Sequence, residues 1–134
     1  YKNRSLEEIW KEEIDEECGY NVSLNDIIKV TSFYTNVGIS GGCQHLYFTK
    51  IDESMKIHDG GGINDEEIDV MYLPLEQSDE FIFDESKAKT PGLMFAFYWF
   101  FKNKNSLGVR WNIYIFLFYF FIHFLIQKKL NKIN

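Results

Sequence analysis

Little in this 134-residue chain is arranged for oxidation, for nucleic acid or for a bilayer. It holds two cysteines, Cys18 and Cys43, too few for a disulfide framework. Reduced thiols in a cytoplasmic protein are the state they suggest. Neither has the neighbouring histidine-and-acid pattern of a nucleophile. Basic charge is short in the body of the chain. All 20 acidic residues but only 10 of the 14 basic ones precede Asn105, leaving −10 there. Arg110, Lys128, Lys129 and Lys132 add +4, for a total of −6. Phosphate backbones need a basic surface, so nucleic acid is not an expected partner. Gly60-Gly61-Gly62 lacks the Gly-Lys-Ser/Thr ending of a phosphate-binding loop and follows no strand directly. It reads as a mobile loop. No signal peptide is visible, although a start inside a longer protein would hide one.

What the chain does have is acid in one place. Glu12-Glu13-Ile14-Asp15-Glu16-Glu17 runs into Cys18-Gly19. Ser5 followed by Glu8 fits a capping box, Glu7 and Glu8 suit the positive end of a helix dipole, and Gly19 is a natural stop. The pattern predicts a helix from about Leu6 to Cys18. Leu6, Ile9, Trp10 and Ile14 form its apolar stripe, with Glu7, Glu8, Lys11, Glu12 and Asp15 on the solvated side. Glu13, Glu16 and Glu17 fall at the edge of the stripe, partly desolvated. Like charges at these spacings repel, and three such carboxylates without a cation should be partly protonated. A divalent ion relieves them, and Mg²⁺ prefers such hard oxygen ligands. The plainer reading is an ordinary solvated acidic face.

Further along, Asp26 to Tyr34, Gln44 to Ile51 and Glu67 to Leu75 read as strands, the last ended by Pro74. Lys89 to Lys102 reads as a second helix with Pro91 in its first turn and an apolar face of Leu93, Phe95, Phe97, Tyr98 and Phe101. That face reads as core or dimer contact. From Trp111 to Ile126 the chain is almost wholly apolar and aromatic. Ile113 to Ile126 falls short of the roughly 20 residues of a bilayer span, and His123 interrupts it. Membrane contact through this tail is the less favoured reading. Residues rich in Phe, Ile, Tyr, Asn, Lys and Leu suggest translated non-coding sequence or an alternative exon from Ser106 onward. A continuous, abundant transcript across the Lys104–Leu107 junction would refute that.

The order of residues in the acidic helix is informative beyond its charge. Glu13-Ile14-Asp15-Glu16-Glu17-Cys18-Gly19-Tyr20 resembles the second half of the Nudix box, Arg-Glu-U-x-Glu-Glu-x-Gly-U with U apolar. Glu12 stands where that pattern has arginine. The glycine half of the box would precede Tyr1, so the chain is expected to begin inside the motif. Val37-Gly38-Ile39-Ser40-Gly41, Met71-Tyr72-Leu73-Pro74-Leu75 and Lys89-Thr90-Pro91-Gly92 extend the resemblance toward the UDP-sugar pyrophosphatase branch of Nudix hydrolases.

The resemblance implies an α/β (α+β) fold, a Nudix-type α/β/α sandwich with a mixed sheet, incomplete at the N-terminus. Residues 1–104 would be a partial Nudix domain and 105–134 an atypical apolar and basic tail. It implies Mg²⁺-dependent hydrolysis of a nucleoside diphosphate sugar, with Mn²⁺ as an alternative ion and UDP-glucose giving UMP and glucose 1-phosphate. Glu16 and Glu17 are the expected metal ligands, with Glu13 as ligand or orienting group. Glu66 is the expected catalytic base, with Glu67 second and a solvated loop acid as its plain alternative. Gly38, Ser40, Gly41 and Gln44 would approach the substrate, although a plain turn explains the glycines too. The full-length protein is expected to be a homodimer. The competing expectations are a catalytically inactive fragment serving as binding or dimer partner, and a small membrane-anchored acidic protein.

Overall fold

The computed structural model describes residues 3–39, 41–64 and 67–108. Helix α1 spans Leu6–Cys18, and both halves of its capping box form: the Ser5 hydroxyl accepts from the Glu8 amide while the Glu8 carboxylate accepts from the Ser5 amide. Gly19 ends it with φ at 77° in the left-handed region, its amide donating to the Asp15 carbonyl. Ser23 caps a single 3₁₀ turn at Leu24–Asp26. Strands β1 (Ile28–Thr35) and β2 (Gly42–Phe48) then form an antiparallel hairpin, with Phe33 opposite Gln44 and an irregularity between Lys29 and Thr31. Helix α2 covers Ser78–Phe83 and helix α3 Pro91–Asn103. The result is an α+β fold around a two-stranded sheet.

Successive side chains of a strand point to opposite faces, and β2 uses both. Tyr47 joins Trp10, Ile14, Cys18, Tyr20 and Val22 in one buried cluster, its ring 5.5 Å from that of Trp10. Phe48 joins Leu75 and Phe100 in a second, with ring centroids 6.0 Å from Phe100 and 5.6 Å from Trp99. Helix α1 therefore covers one face of the hairpin and α3 the other. Burying one such aromatic side chain stabilises the fold by about 1.5–3 kcal/mol, so the hairpin is held chiefly by what lies on its two faces.

The structure departs from the sequence pattern in four places. Residues 67–74 form no strand: exposure alternates from 67 to 71 as the pattern predicts, but among the described residues no strand pairs with them, and a strand exists only through its ladder. The mixed sheet is, among the described residues, an antiparallel pair. The buried side of α3 is Gly92, Ala96, Phe97 and Phe100, whereas Phe95 and Tyr98 are exposed. An all-round apolar helix has no polar face to orient it, so its partner decides which side is inside. Helix α2 has too short a pattern to register as periodic. The tail from 109 onward lies outside the described residues. Among those described, no helix is long and apolar enough to cross a membrane.

Candidate active site

Glu13, Glu16 and Glu17 stand at the electrostatically unfavourable end of their helix. They occupy its C-terminal half with no basic residue in the last turn, where the negative pole of the dipole disfavours more negative charge. Glu17 is 8% exposed, and Glu13 and Glu16 are half-buried, so desolvation adds to the cost. A bound cation would offset both. Glu12 pairs with Arg4 at the surface, and the Lys11 ammonium donates to Asn21 Oδ1 at 3.0 Å and the Val22 carbonyl at 2.7 Å. Lys11 thus ties the helix to the loop that follows it and does not reach toward the carboxylates.

The Gly60-Gly61-Gly62 loop, expected to be mobile, is docked on this helix end. Gly61 donates its amide to the Glu17 carbonyl at 2.8 Å and Gly62 to the Glu16 carbonyl at 3.0 Å. These are among the carbonyls that a helix leaves unsatisfied at its C-terminus. The approach is so close that a Cβ on Gly60 would lie 2.2 Å from the Glu17 carbonyl oxygen, and one on Gly19 1.9 Å from the His58 carbonyl oxygen. Both positions require glycine. His58 completes the contact: its Nδ1 accepts the Gly60 amide at 3.0 Å and its Nε2 lies 2.8 Å from Asp15 Oδ1. Asp15, His58 and the glycine triplet make a contact at this helix end that sequence reasoning missed. Three consecutive glycines were the available signal.

On the other face of the hairpin a cleft of about 590 Å³ is lined by Thr31, Phe33, Asn36, Gln44, Thr90 and Phe95, among others. Gln44 is 1% exposed and, as a residue of the Phe48 side of β2, faces α3. None of the three α1 glutamates lines this cleft. Gly38 and Gly41 sit in the hairpin end, where the Ile39 and Gly41 amides both donate to the Asn36 carbonyl. Gly38 has open space around it, as a plain turn would. Glu67 is exposed. Ser40 and Glu66 lie outside the described residues.

Among the described residues no three His, Cys, Asp or Glu side chains converge as a metal cage. The donors on α1 nevertheless fit Mg²⁺ chemically. That ion is ordinarily held by one or two carboxylates, with waters and substrate phosphate oxygens filling the remaining positions. Beside them, burial and the Glu17 charge push the Cys18 thiol up to about 12, which leaves it protonated and inert as a ligand.

No family model matches the chain. Individual proteins do. Over 99 residues it is 36% identical to the uridine diphosphate glucose pyrophosphatase NUDT14 of Bos taurus and 31% identical to that of Mus musculus. Each comparison covers 72% of this chain and 45% of the relative. A GDP-mannose pyrophosphatase of Cronobacter sakazakii is 34% identical over 68 residues, 51% of this chain and 35% of that protein. The chain thus spans under half the length of the curated relatives it matches.

Proposed function

This chain belongs to the Nudix hydrolases, and from that membership we propose that it hydrolyses the pyrophosphate of a nucleoside diphosphate sugar. The observation that carries this reading is its similarity to two kinds of relative whose names share a nucleotide-sugar pyrophosphate and differ in base and sugar. UDP-glucose is the first-choice substrate, because the relative matched over the larger share of the chain is named for it. Water enters, the P–O–P bridge breaks, and UMP and glucose 1-phosphate leave. We further propose that the full protein folds as the family's α/β/α sandwich, a reading that the helices on the two faces of the hairpin support, and that it dimerises.

In this reading Glu16 and Glu17 hold Mg²⁺ or Mn²⁺, with Glu13 as a further ligand or as the group that orients them. The ion, when bound, neutralises phosphate charge and acidifies water. The chain's own work is to present those carboxylates from a helix whose last turn is fixed by the glycine loop. Glu66, or failing it Glu67, takes the proton from the attacking water. Gly38, Ser40, Gly41 and Gln44 supply the substrate side.

The test is Mg²⁺-dependent UMP release from UDP-glucose, with ADP-ribose alongside. Groups that merely orient metal ligands are worth 10- to 100-fold, so Glu17→Gln should lower turnover by about 100-fold or more. Near-wild-type turnover in Glu17→Gln refutes the ligand assignment. A soluble, folded chain with no turnover on either substrate favours the inactive-fragment reading.

A further inference from the structure

His58 bridges two parts of the molecule that lie 43 positions apart in sequence. Since Nδ1 accepts the Gly60 amide, it carries no proton, and the ring proton is on Nε2, facing Asp15 Oδ1. One imidazole therefore holds the loop on one side and the helix on the other. The loop it holds is the one whose next two amides bond the carbonyls of Glu16 and Glu17. Asp15 immediately precedes those residues in the helix.

We infer that His58 is a positioning residue that, with Asp15, clamps the Gly60–Gly62 loop to the end of α1 and so sets where the Glu16 and Glu17 carboxylates sit. The inference rests on the reading of those glutamates as metal ligands. Both partners are about half exposed, so the pair itself adds little stability. Its effect is on geometry: without the ring, nothing in the His58–Asp15 contact fixes Gly60 against the Glu17 carbonyl. Helix ends fray readily, and a metal site built on a last turn tolerates little displacement.

The experiment measures Mn²⁺ binding to the full chain by electron paramagnetic resonance, with thermal melting and amide exchange at Gly61 and Gly62. His58→Ala and Asp15→Ala should each weaken Mn²⁺ roughly three- to tenfold and speed exchange at those two amides. The double variant should be no weaker than either single one, because both remove the same link. Asp15→Asn, which keeps an oxygen to accept the Nε2 proton but removes the charge, should bind close to wild type. That outcome separates positioning from a simple electrostatic pull on the ion. A folded His58→Ala with wild-type Mn²⁺ affinity overturns the clamp, as does an Asp15→Asn as weak as Asp15→Ala. If His58→Ala fails to fold, the Asp15 pair of variants carries the same decision. Glu17→Gln distinguishes the premise: undiminished Mn²⁺ binding there refutes the glutamate reading, whereas lost binding with normal His58→Ala refutes the clamp alone.

Discussion

At the scale of single residues, two cysteines of one chain take opposite characters from their surroundings. Cys18 is 1% exposed inside the Trp10 and Tyr47 cluster, and burial first, then the Glu17 charge, pushes its thiol up to about 12. Cys43 is only half-buried, on the hairpin. Thiolate is the reactive form, so native protein at pH 8 should release one equivalent of thionitrobenzoate quickly with Ellman's reagent and a second only after denaturation. Two fast equivalents would mean that Cys18 is not packed as described. The same environment explains why Cys18, though beside the carboxylates, takes no part in the proposed metal site. Nothing in the composition separates the two thiols; burial does.

Among the elements, α1 is the most legible and the glycine loop the least. The helix is specified by neighbours within four positions: a serine, a glutamate three residues on, an apolar stripe and a terminal glycine. Every one of these acts through local hydrogen bonds or helical spacing. The loop offers only permissive residues, and permissiveness suggests mobility until the docking partner is seen. Gly60 decides the matter, with φ at 72° and a Cβ position that lies 2.2 Å from helix backbone. Gly60→Ala should therefore destabilise the fold by about 2–4 kcal/mol through strain and steric conflict. Gly38→Ala, with nothing within 4 Å, should stay within about 0.5 kcal/mol of wild type. Equal denaturation midpoints for the two variants would show that the loop is not docked in solution. In α3, Thr90 and Pro91 announce the start, but a helix apolar all round does not announce its buried side.

For the whole molecule, the hairpin acts as a partition with a different core on each face, and its titrating groups make stability depend on alkaline pH. Burial raises Cys18 and Tyr47, each to about 12, from ordinary values of 9.0 and 10.0. A raised folded-state value means that the native chain keeps protons that the unfolded chain has lost. The stabilisation is therefore complete below about pH 9 and is lost as pH rises toward 12. Urea midpoints should fall across that window, and Cys18→Ala should flatten the decline. An unchanged slope in that variant would assign the alkaline loss to tyrosines alone.

The partition also explains the limits of reading this chain as a string. By itself the sequence determined the acidic helix, its caps, its buried stripe, the two paired strands approximately, and the family to which the carboxylate pattern points. All of these rest on interactions between near neighbours, whose spacing is visible in one dimension. Only the tertiary structure decided that the glycine triplet docks on the carboxylate helix, that His58 meets Asp15, that residues 67–74 have no ladder among the described residues, and that α3 buries Ala96 and Phe100 and leaves Tyr98 outside. Each of those depends on a partner far away in the chain. A residue's own chemistry states what it can bond, and the fold alone states what comes within reach.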